Sequence, residues 1–268
     1  MADFDEQILA VRRFVRKRKA ERPVMEAFAP LAPDDLIRGL PVSYRPGNQP
    51  FVILKEDTLV ELGNPVEGSA SMMLWSKQAE LIRDGLITLI GPDIPESGGM
   101  SLPFGQVILL GGAGLEDRDL ARMERAANLA HSLEGYMIRE VPRKLWSRVS
   151  LEAGRKGFCF QVLGRVLMAH YRRLFPELGA IEILFVTSSK ADVEELEKIS
   201  HEAKGKSLSI RKLTRKEEGI YECEELNCET CSEKPTCDSI RDVLVIRKRG
   251  KVTGIRVIRD TNSKNLQS

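Results

Sequence analysis

Three almost uninterrupted apolar runs constrain the fold of this chain most strongly. They read LITLIGPDI (86–94), FGQVILLGG (104–112) and IEILFV (181–186), and two weaker runs lie at 51–54 and 69–75. Runs without polar alternation are typical of strands that are covered on both faces, as in sheets flanked by helices. The chain is therefore expected to build a buried sheet.

Amphipathic helical segments lie between and after these runs. LEDRDLARMERAANLAHSLEGY (115–136) and FCFQVLGRVLMAHYRRLF (158–175) each place apolar residues on one helical face. A third segment, ADVEELEKISHEA (191–203), follows the hydroxyl residues at 187–189, which are good N-caps. Strands that alternate with such helices predict a layered α/β domain over about residues 50–212.

The N-terminal part, residues 1–49, has a different character. Apolar residues at helical spacing predict a helix over 4–22, which Pro23 ends. The basic tail of this helix favours a solvated face over an anchor for an acidic partner or RNA, because cations suit a helix C-terminus. Residues 23–50 are rich in proline and predict an extended connector on the surface.

Composition and charge exclude several classes of protein. Hydrophobic residues make up 42% of the chain and charged residues 30%, which is ordinary for a globular protein that needs no disulfides. The order acidic, apolar, basic at the N-terminus is unlike a secretory signal, and no apolar run approaches the ~20 residues that span a bilayer. A net charge of +2 gives no general case for nucleic acid or membrane binding. We therefore expect a cytoplasmic protein.

The C-terminal part, residues 213–268, holds a cysteine cluster in YECEELNCETCSEKPTC (221–237). The spacing C-x4-C-x2-C-x5-C can fold four thiolates around one metal centre, and reducing conditions favour metal over disulfides. One C-x2-C pair with irregular outer spacings suits an iron–sulfur cluster better than zinc, although zinc stays open. The predicted ligands are Cys223, Cys228, Cys231 and Cys237. A hairpin (242–260) and a frayed tail are expected to follow.

Other candidate sites are weaker. The stretch VILLGGAGLEDRDL (107–120) resembles a phosphate-binding turn, but its acids at 116, 117 and 119 would repel phosphate, so a simple glycine turn is favoured. The remaining cysteine, Cys159, lies among apolar residues and is expected to be buried and inert. The three histidines are expected at surface or boundary positions of helices: His131, His170 and His201.

The stretch YMIREVPRKLWSRVS (136–150) surrounds a tryptophan with cations. Arg143, Trp146 and Arg148 could bind a nucleotide, since guanidinium groups contact phosphates and an indole stacks on a base. The residues alone favour a plainer interpretation, the start of a basic helix with a packed tryptophan.

Several of these segments, in this order, resemble one known family. GPDI (91–94), the run at 104–112, the Met-Glu-Arg at 123–125, EGYMIREVPRKLWSRVSLEAGRKGF (134–158) and IEILFVTSSKADVEEL (181–196) are similar to the middle region of the carbon monoxide dehydrogenase/acetyl-CoA synthase complex beta subunit family. With the cysteine segment, the resemblance covers roughly residues 50–240.

The resemblance implies specific cofactors. In that family a four-cysteine [4Fe–4S] cubane is paired with two nickel sites, and a later Cys-Gly-Cys holds the outer nickel. By position, the four clustered cysteines correspond to the cubane ligands with a tighter spacing, and the printed chain has no cysteine after Cys237. The family also contacts coenzyme A through an arginine-rich middle domain with a tryptophan, which makes Arg143, Trp146 and Arg148 candidates for that role.

The resulting hypothesis is an acetyl-CoA-synthase-like iron–sulfur protein of anaerobic one-carbon or acyl-CoA metabolism. It is expected to act as an electron-transfer or assembly subunit without the nickel site, in contact with a protein partner. The basic hairpin is a candidate docking surface for that partner. Two alternatives stay open: a catalytic subunit with atypical nickel binding, and a zinc-stabilised module that binds nucleic acid.

Overall fold

The computed structural model describes most of the chain, which divides into two units, Met1–Ser209 and Ile210–Ser268. The described residues are 4–45, 52–115, 119, 123, 133–141, 144–204, 213–215 and 221–223. The first unit mixes helices with two mixed β-sheets, which confirms the α/β fold class. No helix among the described residues has the length and apolar character needed to cross a membrane.

A five-stranded sheet forms the centre of the first unit. Its strands, in spatial order, are β1 (Met25–Phe28), β4 (Leu86–Ile90), β9 (Ala180–Val186), β6 (Phe104–Gly111) and β3 (Ser69–Ser76). β4 runs parallel to β9 and β3 parallel to β6, whereas the β6–β9 and β1–β4 pairs are antiparallel. Every residue of β4, β6 and β9 is buried, as their apolar sequences predicted.

Helices cover both faces of this sheet. The helices described in this unit are α1 (Asp5–Glu21), α2 (Pro33–Ile37), α3 (Leu151–Arg155), α4 (Phe160–Leu174) and α5 (Lys190–Lys204). Of these, α1, α4 and α5 pack on the main sheet, whereas α2 packs on α4 and α3 packs on Thr58–Leu62 and Lys144–Ser150. Phe160 of α4 packs on Phe185 of β9, with ring centroids 4.9 Å apart. Arg12 of α1 bonds Glu182, which lies on the opposite face of β9 because strand side chains alternate. α4 and α1 therefore lie on opposite sides of the sheet.

A second sheet has four strands, in the order β5 (Ser101–Leu102), β2 (Thr58–Leu62), β8 (Lys144–Ser150) and β7 (Tyr136–Val141). It adjoins the main sheet where the Ser69 hydroxyl donates to the Leu145 carbonyl at 2.6 Å and accepts from the Leu145 amide at 2.7 Å. β7 and β8 correct the interpretation of 136–150 as a helix start. Leu145, Ser147 and Val149 are buried between half-buried neighbours, a two-residue period that favours a strand.

Three further predictions about the first unit need correction. The connector at 23–50 contains β1 and α2, so it is not simply extended. Residues 52–54 of the weak apolar run at 51–54 form no strand. His170 is buried, since only 6% of it is exposed, and its Nδ1 lies 3.0 Å from the Tyr44 hydroxyl. His201 is at the surface as expected, and His131 lies outside the described residues.

Much of the C-terminal part also lies outside the described residues. The structure describes two short strands there, β10 (Leu213–Arg215) and β11 (Tyr221–Cys223), which pair antiparallel with Leu213 opposite Cys223. The predicted hairpin at 242–260 and three of the four clustered cysteines are not among the described residues. Of the helix predicted at 115–136, residues 119 and 123 are described as helical, and 136 already belongs to β7.

Candidate functional site

The motifs that carry the family resemblance meet where β4 and β9 end. Because these strands are parallel, their carboxyl ends lie at the same edge of the sheet. Gly91 follows β4 with φ +115°, and a Cβ there would lie 2.4 Å from the Ser188 amide nitrogen beyond β9. The Thr187 hydroxyl donates to the Pro92 carbonyl at 2.7 Å. Glycine is needed here because the two loops touch through their backbones.

Asp93 connects this junction to helix α4. Its Oδ1 accepts the Phe160 amide at 3.0 Å and the Ile94 amide at 2.7 Å, so it caps both α4 and the short 3-10 helix Ile94–Glu96. Burial raises the pKa of Asp93 even though both amides favour its charged form. Asp93 belongs to the GPDI motif, but the sequence gave no sign that it caps α4, because its partner Phe160 lies 67 positions away.

The hydroxyls at the end of β9 confirm the predicted N-cap of α5. Ser189 Oγ accepts the Asp192 amide at 3.2 Å, and the Ser188 hydroxyl donates to the Asp192 carboxylate. Asp192 also accepts Arg18 Nε at 2.6 Å and Arg22 Nη1 at 3.2 Å. Burial alone would raise the pKa of Asp192, but these hydrogen bonds and the two arginine charges lower it.

Trp146 and Arg148, two of the candidate coenzyme A residues, lie together on β8. The Arg148 guanidinium carbon is 4.7 Å from the centre of the Trp146 ring. Arg148 also donates to Glu61 Oε1 at 3.1 Å and to the Ile53 carbonyl at 3.1 Å. The guanidinium therefore covers one indole face and has a carboxylate partner.

Glu61 is a member of this cluster that the sequence did not indicate. Burial would raise its pKa, but hydrogen bonds from Asn64, Arg148 and Trp146, together with the Arg148 charge, lower it. Glu61 lies on β2, directly opposite Arg148 in the antiparallel pairing of β2 with β8. The strand register therefore brings the pair together, and no local sequence signal marked it.

The structure describes only some of the other predicted site residues. Arg143 lies outside the described residues, as do Cys228, Cys231 and Cys237. Cys223 ends β11, and only its backbone is described. Cys159 is the N-cap residue of α4 and is half-buried, not fully buried as predicted. Burial and the Asp93 charge raise its pKa, so a reactive thiolate is disfavoured there. Within the described part of the chain, no group of three or more metal-binding side chains converges.

Comparison with known proteins identifies the protein family to which the chain belongs. A family model of the CO dehydrogenase/acetyl-CoA synthase complex beta subunit matches residues 40–193, more than half of the chain. The matched range contains the β4–β9 junction and the Trp146–Arg148–Glu61 cluster; α1, β1 and the four clustered cysteines lie outside it. The chain belongs to this family.

Curated relatives carry corresponding names. The acetyl-CoA decarbonylase/synthase complex subunit beta of Methanothermobacter thermautotrophicus is 26% identical over 205 residues, which is 75% of this chain and 44% of the relative. The carbon monoxide dehydrogenase/acetyl-CoA synthase subunit alpha of Moorella thermoacetica is 29% identical over 167 residues, 61% of this chain and 22% of the relative. The chain therefore spans less than half the length of these relatives.

Proposed function

We propose that this chain is an iron–sulfur subunit of a carbon monoxide dehydrogenase/acetyl-CoA synthase type of complex, with an electron-transfer or assembly role. One observation carries the proposal: a family-matched α/β region, residues 40–193, is followed in the same chain by four cysteines within residues 223–237. The ligands would be Cys223, Cys228, Cys231 and Cys237.

The donor set fits a [4Fe–4S] cluster chemically. Four thiolates supply one ligand to each iron of a cubane, and the cluster would then accept and donate one electron at a time. With all four irons ligated, no protein-side position is left open for a substrate. The electron-transfer or assembly role is therefore supported by the chemistry of the four-thiolate set itself.

A contact with coenzyme A is the second part of the proposal. Arg143, Trp146 and Arg148 would bind it, with Arg148 directed to a phosphate and Trp146 to the base. Because Arg148 now donates to Glu61, a phosphate at this position would have to displace or share that carboxylate's hydrogen bond. The proposal therefore makes Glu61 a competitor of the phosphate.

Metal analysis of the oxygen-free full chain tests the main proposal. We expect about four iron and four sulfide per chain, and a brown colour with absorbance near ~400 nm that dithionite bleaches. Stoichiometric nickel with acetyl/CO exchange activity would favour the catalytic alternative. A colourless protein with one bound zinc and salt-sensitive RNA binding would favour the zinc module instead. Either result would overturn the electron-transfer or assembly role.

A further inference from the structure

Helix α1 divides its cations between two faces. The inward face buries Ile8, Val11, Phe14 and Val15. On the same side, Arg18 donates to Asp192 and Glu195 of α5, while Arg12 bonds Glu182 of β9. These arginines and the apolar side chains fix α1 to the sheet and to α5, so the direction of its other face is determined.

The outward face of α1 is a basic stripe that makes no ion pair with the residues that the structure describes. Leu9, Arg13, Arg16 and Ala20 are all exposed, and their spacing of i, i+4, i+7 and i+11 places them on one side of the helix. Within the described residues, Arg13 and Arg16 make no ion pair or hydrogen bond, and Leu9 is 44% exposed. From Ile8 to Ala20 the helix contains no acidic residue, and the nearest acid on this side of the helix is the exposed Glu6, seven residues before Arg13.

We propose that this stripe is a docking surface for a protein partner with a cluster of carboxylates. Arginine is enriched at protein interfaces, and Leu9, one turn before the two arginines on the same side of the helix, adds an exposed apolar contact. Acidic side chains on a partner would supply the missing charge, and the small Ala20 lets a partner surface approach the helix closely. Leu9 would enter an apolar depression beside those acids.

The same observations disfavour a lipid or nucleic acid as the occupant. A helix that binds a membrane surface presents a broad apolar face to the lipid, whereas the apolar face of α1 is buried against the sheet. Nucleic acid binding requires a wider basic footprint than this stripe, and the whole chain has a net charge of only +2. The stripe also lies outside residues 40–193, so it goes beyond the family-matched region and does not depend on the proposed cluster.

A two-step experiment on the full chain tests the proposal. A photo-crosslinking amino acid replaces Ala20, the protein is cross-linked in its own cells, and the attached partner is identified by mass spectrometry. The partner is then purified and titrated against the full chain by calorimetry. We expect a cross-linked segment rich in Asp and Glu, and about 100-fold weaker binding for the R13E/R16E variant because like charges then face each other.

Matched variants separate docking from folding. Lys55 and Arg155 are also exposed, without an ion pair among the described residues, so K55E/R155E makes the same change in net charge elsewhere and should bind normally. R13Q/R16Q removes the charge without adding acids and should weaken binding by about 10-fold. Lysine substitutions in the partner's acidic cluster should restore binding to R13E/R16E.

Several results would overturn the proposal. They are cross-links to RNA or lipid alone, no protein cross-link above background, a partner segment without an acidic cluster, and equal affinities for wild type and R13E/R16E. None of these results bears on the iron content of the chain, which tests the proposed function, so the two proposals can fail separately.

Discussion

At the scale of single residues, the Gly-Pro-Asp motif is explained by contacts rather than by chemistry on a substrate. Gly91 allows two backbones to touch, the Pro92 carbonyl accepts a hydroxyl from the neighbouring loop, and Asp93 caps a helix. All three act at the edge where β4 and β9 end. A short motif can therefore mark a family through architecture alone.

Gly91→Ala should destabilise the fold by about 3 kcal/mol, because φ +115° strains any side chain and the new Cβ would lie 2.4 Å from Ser188 N. Gly98 is the matched control. It has φ +59° but no atom within 4 Å of an added Cβ, so Gly98→Ala should cost about 1 kcal/mol. Urea unfolding followed by circular dichroism compares the two, and equal losses would contradict this assignment.

Glu61 offers a test of the coenzyme A contact at one atom pair. If Arg148 binds a phosphate, Glu61→Gln weakens the competing acceptor and removes a repelling charge, so coenzyme A should bind about 10-fold more tightly. Titration calorimetry with the full chain measures this. If neither Glu61→Gln nor Trp146→Leu changes the affinity for coenzyme A, the cluster does not bind coenzyme A and only stabilises the pairing of β2 with β8.

At the scale of elements, the sequence predicted those whose signal is local. The apolar runs of β4, β6 and β9 and the helical periodicity of α1, α4 and α5 each lie within a short window, and all six formed. β1 and the β7–β8 hairpin were missed. In β8 the two cations lie on the half-buried face, which alternates with buried residues. This two-residue period is hard to recognise in the sequence alone, because Trp146 shares the face of the cations and Ser147 is buried. β1 exists because it pairs with β4, a partner distant in sequence.

The attachment of α1 to the sheet can be measured through one ion pair. Glu182 is buried in β9 and accepts Arg12 and the Arg83 amide. Arg12→Leu should destabilise the protein by about 3 kcal/mol, since it leaves a buried carboxylate with fewer donors. A double-mutant cycle with Glu182→Leu should give a coupling of about 2 kcal/mol. Arg13→Leu, one position along on the outward face, should change stability by less than about 0.5 kcal/mol.

The link between α1 and α5 should make stability depend on pH. The pKa of Asp192 is lowered on folding, so its contribution is complete above the ordinary aspartate pKa of about 3.9 and is lost as the pH falls through the folded value. Asp192→Asn should cost about 3 kcal/mol at neutral pH, and its difference from wild type should shrink below about pH 4. Urea unfolding at several pH values tests this.

Glu194 provides the control for that pH series. It is exposed on the same helix and makes no ion pair among the described residues, so Glu194→Gln should stay within about 0.5 kcal/mol of wild type at every pH. A loss for Asp192→Asn that does not change with pH would mean that Asp192 stabilises α5 through hydrogen bonds alone.

At the scale of the whole molecule, the family match and the cysteine cluster occupy different parts of the chain. Residues 40–193 carry the family relationship, and the cysteines begin at 223. The spacing of four thiols predicts that they share a metal, but spacing alone leaves iron and zinc both open, because each accepts four thiolates. Their separation from the matched range means that the metal must be identified on this chain itself.

Single cysteine substitutions decide whether the four thiols act as one site. Cys228→Ser and Cys231→Ser remove the central pair of the proposed ligand set, so each should lose most of the iron and the absorbance near ~400 nm in anaerobic preparations. Cys159→Ser is the matched control: Cys159 immediately precedes α4 in the first unit, far along the chain from the cluster, and its variant should keep the full iron content. If Cys228→Ser and Cys231→Ser retain wild-type iron while Cys159→Ser loses it, the proposed ligand set is wrong. If wild type and Cys159→Ser are colourless and bind one zinc that Cys228→Ser and Cys231→Ser lose, the four cysteines bind a structural zinc and the electron-transfer role is excluded.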